Sequence, residues 1–456
     1  MRFMFIMFLI LMVGMGCQTD HTSVQDGPPL LVVVSVDGLN PQDLDIAQQQ
    51  GFDLPHLTSF IEQGSYATGV VGVIPTVTYP SHATLITGVL PAEHGILANK
   101  MFNPQAKRDN AWYWFSEDLQ VPTLLDVAKQ AGRRTANVQW PVTVGADIDY
   151  NIPAYWRFDD ANDVKIMRVI TTPQLLNELE QALGTLILDQ SIEQTQERFN
   201  IAKYLLTNKT IDVMLIHLPV YDSQTHQYGH GDLQALATLA ELDQSMGVLE
   251  ALLETITDGH YVLAIVSDHG FYNANVTVHL NALLYQAGLI ELDDQGRVSH
   301  WDAFAWGHGG GSTIMLAQPD DPVLTKRVED YLTELANNKM FGIATVLTAD
   351  ELSRMGGVQT GFYVEAEPGY RFSDGLDTMQ AIEPLPQVKG EHGQLPSRPA
   401  MYSSFLLKGE GIPVGQSLGV INILDIAPTL AGILQLDWQT QGQDVLADKH
   451  TWVKQK

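Results

Sequence analysis

The run Leu30–Val36 (LLVVVSV) is the strongest constraint on what this chain can fold into. It is apolar almost throughout and mostly β-branched. Such a run suits a strand buried on both faces and does not suit a half-solvated one. Asp212–Leu218 (DVMLIHL) and His260–Val266 (HYVLAIV) repeat the pattern. Helical spacing fills the intervals at Pro55–Gly64, Pro122–Gly132, Leu175–Leu183, Ile192–Leu206 and Asp232–Ile256. Further strands are expected at Tyr66–Ile74 and Arg134–Gln139, and a short helix at Ser81–Gly88 with Ser81 as its cap. Strand alternating with helix predicts an α/β fold of three α/β/α layers around a largely parallel central sheet. After Asn275 the segments shorten, with breaks at Gly307–Gly311, Pro319–Pro322 and Glu367–Gly369. A smaller cap insertion is therefore expected over about 280–385, returning to the core before His392. A strand at Tyr402–Lys408 and a helix at Asn422–Leu434 close the domain, which is read as 30–456.

Chemistry-bearing residues gather at the ends of the buried runs. Asp37 follows the first, in VDG, and Asp268-His269-Gly270 follows the third. In open parallel sheets, ligand groups collect at the carboxyl ends of strands. Pro75–His82 (PTVTYPSH) places hydroxyls at a strand-to-helix turn, where backbone N–H groups favour an anion. Asp222 and His226 share one face if their stretch is helical, because they are four residues apart. Gly390-Glu391-His392-Gly393 adds another imidazole. Each has a plainer reading in isolation: Asp37 and His392 as turn residues, Thr78 as a cap, Asp268–His269 as an ordinary pair. Together they are carboxylates, imidazoles and one hydroxyl nucleophile, the inventory a two-metal hydrolase of phosphate esters needs. His94 and His308 are read as structural. Trp140, Tyr155 and Trp156 are read as core before pocket lining.

Composition narrows the partners. Lys and Arg number 25 against 53 Asp and Glu, a formal charge of −28. Nothing basic is available to displace the counterions of a nucleic-acid polymer, so none is expected as a partner. A small phosphate ester remains compatible if metal ions invert the local field. The chain opens on Met1-Arg2 and an apolar run too short to span a bilayer comfortably, ending at Cys17, the only cysteine. Residues 1–16 read as a leader and 17–29 as a tether. A lone Cys after such a leader resembles a bacterial lipoprotein signal, with Gly16 fitting the pattern and Gly14 standing where it prefers Leu, so a lipid anchor through Cys17 and a periplasmic or membrane-anchored place are expected, with plain secretion as the alternative.

As a set, these segments resemble the nucleotide pyrophosphatase/phosphodiesterase family of the alkaline phosphatase superfamily, from about residue 30 to 434. The resemblance is carried by VDG at Asp37, PTVTYP at Thr78, HGILAN at Asn99, the Asp222/His226 pair, SDHG at Asp268 and His269, and GEHG at His392. It implies two divalent metal ions, most often zinc. One would be held by Asp222, His226 and His392, the other by Asp37, Asp268, His269 and the Thr78 oxygen. It further implies Thr78 as nucleophile through a phospho-threonine intermediate, Asn99 as donor to a phosphoryl oxygen, and Tyr79 as an aromatic wall for the substrate. Ser81, the absence of Gly before His226, and Tyr79 in place of a frequent Phe depart from the family pattern at positions that hold no metal. The nearest rival reading is a phosphomonoesterase or phosphonate hydrolase of the same superfamily. Such an enzyme needs a cationic clamp, for which Arg157 is the one candidate. A catalytically inactive binding protein is a third reading, opposed by the intact ligand set.

Overall fold

The computed structural model describes residues 27–105, 111–157, 162–186, 194–358 and 361–447. The leader, Cys17 and most of the tether lie outside the described residues. The core is an eight-stranded sheet. From one edge its strands run Gln416–Asn422, Ser65–Val71, Phe405–Gly409, Tyr261–Val266, Leu30–Val36, Val213–Leu218, Thr135–Val138 and Tyr150–Ile152. Pairing is parallel except at Phe405–Gly409, which runs antiparallel to both neighbours.

The buried runs sit at the centre, as their composition demands. Along Leu30–Val36, side chains alternate between two apolar clusters. Val32, Val34 and Val36 join one; Leu31 and Val33 join the other. Period-two alternation with both faces apolar is what a middle layer requires. Leu233–Thr257 covers the first face through Leu236, Leu239, Leu242, Met246 and Leu249. Leu124–Gln130, Thr78–Thr87 and Ile426–Ile433 cover the second. The three-layer α/β/α architecture with a largely parallel sheet is thus the observed one.

Register assembles the site. Val36 pairs with Leu218, and Ser35 with both His217 and Val266. Asp37 and Asp268 therefore leave adjacent strands at one level, at the carboxyl edge of the sheet.

A third apolar cluster belongs to the segment between Val278 and Phe372. It contains an antiparallel sheet ordered Ala303–Gly307, Gly311–Leu316, Phe362–Ala366, Ile343–Thr348, with Pro322–Asn337 packed beside it. A three-stranded sheet joins it to the core: Gly369–Ser373, Tyr272–His279 and Ile382–Glu391. Tyr272–His279 lies ahead of the boundary expected near 280. Its polar, alternating sequence hid it among the turns.

The helix expected at Ser81 begins at Thr78 instead. Pro80 falls in its first turn, where a missing N–H matters little. Ser81 is not a cap; it is buried inside the helix and its Oγ has no hydrogen-bond partner. Among the described residues, no helix is long and apolar enough to cross a membrane.

Candidate metal centre

The inner half of the site is built on strand tips. Asp37 and Asp268 are 2% and 0% exposed, and His269 is 0% exposed. One oxygen of each carboxylate is tied from behind. Asp37 Oδ2 lies 2.9 Å from His217 Nε2, and Asp268 Oδ1 accepts the Gly38 N–H at 3.0 Å. The other oxygens, Asp37 Oδ1 and Asp268 Oδ2, are buried without a hydrogen-bond partner, as is His269 Nε2. These three atoms converge: His269 Nε2 is 3.1 Å from Asp268 Oδ2 and 3.6 Å from Asp37 Oδ1. Burial, and then the Asp268 and Asp222 carboxylates, push Asp37 well above the usual carboxylate range. Two buried carboxylates whose open oxygens face a ring nitrogen without a hydrogen-bond partner form a pocket suited to a cation.

Gly38 and Gly270 permit this close approach. A Cβ on Gly38 would come within 2.3 Å of the Phe271 ring, and one on Gly270 within 2.3 Å of the Ala400 carbonyl.

The outer half is built on a helix and a loop. Asp222 and His226 lie on Val220–Tyr228, and the four-residue spacing brings His226 Nε2 to 3.4 Å from Asp222 Oδ1. His392 follows the strand Ile382–Glu391. His226 Nδ1 faces the Gly390 carbonyl at 2.8 Å, and His392 Nδ1 faces the Thr76 carbonyl at 3.0 Å. A carbonyl only accepts, so each Nδ1 carries the hydrogen and each Nε2 is left to ligate. The two Nε2 atoms are 3.1 Å apart, and Asp222 Oδ1 lies 3.8 Å from that of His392. Burial alone would lower His226, but Asp222 carries it up to about 9. His392 is held well below its ordinary value by burial and by its neighbours His269 and His226. The two imidazoles are thus shifted in opposite directions.

The donor set fits divalent ions of the zinc type: nitrogen and oxygen ligands, no thiolate. Ligand atoms of Asp37, Asp268 and His269 lie within 4.8 Å of one another, as do those of Asp222, His269 and His392. His269 is common to both groups, whereas the resemblance gave it to one ion.

Residues 31–393 match the model of the family described as type I phosphodiesterase/nucleotide pyrophosphatase. The chain belongs to that family. Its members hydrolyse phosphodiester and pyrophosphate bonds, and it sits within the alkaline phosphatase superfamily. A human bis(5'-adenosyl)-triphosphatase, ENPP4, is 24% identical over 434 residues, covering 92% of this chain and 81% of that protein. Its bovine counterpart is 25% identical over 264 residues, 56% of this chain but 50% of the relative's length. In fold, human ectonucleotide pyrophosphatase/phosphodiesterase 5 aligns with TM-score 0.65 at 18% identity, over 91% of this chain and 97% of that one. The murine protein, as an inactive threonine-to-alanine variant in complex with AMP, aligns with TM-score 0.64.

In this phosphodiesterase-family chain a cleft of about 970 Å³ opens over the outer half. Asn99, Trp112, His226, His308, Lys389 and His392 are among its lining residues. Thr78 is the first residue of its helix and is partly exposed. Asn99 Oδ1 accepts the Tyr79 N–H at 2.8 Å, which leaves its amide nitrogen for another partner. The expectation that Tyr79 offers a stacking wall is not met. Its ring is fully buried, packed against Trp112 at 5.2 Å and Trp156 at 6.2 Å. Trp112, which covers it, presents the aromatic surface to the cleft. Trp140 is core, as expected, with its ring 4.9 Å from that of His82. Arg157 is engaged by Asp163 at 2.7 Å.

Three residues of the site escaped sequence reasoning. His217 and His82 lie behind the carboxylates, and His308 lines the cleft. His82 stood inside the quoted PTVTYPSH segment, and its spacing of four from Thr78 was the available signal. His308 was read as a turn residue among glycines. It is 7% exposed, its Nε2 is 3.0 Å from Thr313 Oγ1, and burial holds it down to about 3. The glycines beside it interlock with the His392 loop: Gly310 donates its N–H to the His392 carbonyl at 2.6 Å.

Proposed function

We propose that this protein cleaves phosphodiester or pyrophosphate bonds of nucleotide-type substrates with two divalent ions, zinc for preference, and Thr78 as nucleophile. The observation that carries the reading is the convergence of buried, partnerless ligand atoms from Asp37, Asp222, Asp268 and His269 on one pocket. Asp37, Asp268 and His269, with the Thr78 oxygen, would hold one ion; Asp222, His226 and His392 would hold the other. When bound, the ions supply Lewis acidity for the phosphoryl oxygens and lower the pKa of the Thr78 hydroxyl. Thr78 Oγ1 attacks phosphorus in line and becomes a phospho-threonine; the departing alcohol or phosphate takes up a proton, and water then releases Thr78. Asn99, its Oδ1 fixed by the Tyr79 N–H, turns its NH₂ toward a phosphoryl oxygen. The names of the relatives, a diadenosine triphosphatase and a protein bound to AMP, support a nucleoside phosphate.

Arg157, the clamp candidate of the monoesterase and phosphonatase readings, is paired with Asp163, while Lys100, Arg371 and Lys389 line the cleft. The test is a side-by-side assay of an aryl phosphodiester, an aryl phosphomonoester and a phosphonate, with and without chelator. Diester preference that chelation abolishes is expected. Preference for the monoester or phosphonate moves the protein to another branch, and no turnover with any of them revives the binding-protein reading. Export with a lipid anchor at Cys17 completes the proposal. Radiolabelled fatty acid should be incorporated by the wild type and not by Cys17→Ser.

A further inference from the structure

Behind the metal pocket lie two imidazoles that the ligand set does not use. His217, from Val213–Leu218, is 2% exposed; His82, from Thr78–Thr87, is 0% exposed. Their ring centroids are 4.6 Å apart at an interplanar angle of 73°. Burial holds both below the ordinary histidine range. The acceptors they face show which ring nitrogen of each carries a hydrogen.

His217 Nε2 is 2.9 Å from Asp37 Oδ2. A metal-binding carboxylate only accepts, so Nε2 carries the hydrogen. The bond decides which Asp37 oxygen faces the pocket: Oδ1, buried and without a hydrogen-bond partner. The His217 backbone is fixed in turn, its carbonyl accepting from Arg198 Nη1 at 2.7 Å.

His82 Nδ1 is 2.8 Å from the Thr78 carbonyl, which can only accept, so here Nδ1 carries the hydrogen. Nε2 is hydrogen-bonded with the Ser35 hydroxyl at 2.8 Å. Ser35 precedes Asp37 by two residues on the same chain run. His82 thus ties the first turn of the Thr78 helix to the strand that carries Asp37. It also sits 3.6 Å from Asp268 Oδ2.

We propose that His217 and His82 are positioning residues of this hydrolase: His217 orients Asp37 toward its ion, and His82 holds the Thr78 turn in register with it. The proposal rests on the two-ion reading above. Hydrogen bonds from outside the ligand set fix ligand orientation, and losing them typically lowers metal affinity about 10–100-fold.

The experiment is calorimetric titration of the metal-free full chain with Zn²⁺, beside circular dichroism to confirm the fold. Wild type, His217→Phe and His217→Gln are compared, since Phe keeps the volume and Gln keeps a donor near the Nε2 position. His217→Phe should bind one of two ions about 10–100-fold more weakly, and His217→Gln should recover most of that loss. Equal affinity in wild type and His217→Phe, or an equal loss in Phe and Gln variants, overturns the positioning role. A wild type that takes up no divalent ion overturns the two-ion reading itself. For His82, the His82→Asn variant retains an N–H near Nδ1 and should keep kcat within a few fold. His82→Phe should lower kcat at least tenfold with KM little changed. A shift in KM alone, or equal kcat in both variants, removes His82 from the proposal.

Discussion

The two halves of the metal centre are made differently. Asp37, Asp268 and His269 are sealed at the tips of central strands, with His217 and His82 behind them. The side chains of Asp222, His226 and His392 are 15%, 35% and 9% exposed, on a helix and a loop beside the open cleft. The sealed half sets the Asp37 and Asp268 carboxylates against each other, and burial with that repulsion disfavours the charged form of Asp37. The open half can relax through water and through protonation of His226. The first should therefore govern whether the protein holds metal at all, and the second how readily substrate and ion exchange.

The sharpest test of that contrast targets the group between the halves. Thr78→Ala should lower turnover by about a thousandfold or more while circular dichroism and zinc content stay near wild type, because a nucleophile is lost and no buried contact is. Wild-type turnover would sink its assignment. Next in size, Asp268→Ala should reduce bound zinc from two ions to one per chain by metal analysis. Asp222→Ala should retain both at saturating zinc but with weaker affinity. Equal losses in the two variants would erase the distinction between halves.

A smaller effect concerns protons. In the metal-free protein His226 is raised to about 9, above its unfolded value near 6.5. That contribution to stability is fully present below about 6.5 and is lost as pH rises through about 9. By the same linkage, an ion must displace this proton near neutrality. Zinc affinity at the open half should therefore climb with pH up to about 9, and His226→Gln should flatten the climb. The smallest expected change is the most diagnostic of the Asp37–Asp268 repulsion. Asp37→Asn keeps an acceptor for His217 and removes a carboxyl whose ionisation burial and Asp268 oppose. It should raise the melting temperature of the chelated protein by about 2 °C or more at pH 7. A lower melting temperature would show that the sealed carboxylates are not in conflict.

Legibility followed the same divide. Leu30–Val36, Val213–Leu218 and Tyr261–Val266 could be read because strands buried on both faces leave uninterrupted apolar runs. The ligands at their tips inherit that clarity. Tyr272–His279 was missed because one side of it is half-solvated, and its polar residues imitate a turn. Ser81 was misread as a cap because the helix start is set by the packing of the Thr78 turn and not by a capping side chain. Tyr79 was expected in the pocket on the strength of its neighbour, but Trp112, distant in sequence, lies over it.

The sequence by itself determined the three-layer fold, the family and the inventory of candidate ligands, because burial and ligand chemistry are properties of residue type and local pattern. The tertiary structure alone decided which atoms of those ligands face one another. The register of Leu30–Val36 against its neighbours brings Asp37 beside Asp268. Hydrogen bonds from His217 and the Gly38 N–H choose which carboxylate oxygens remain open. Those partners are 180 and 230 residues away from the groups they orient, a separation no local pattern can encode.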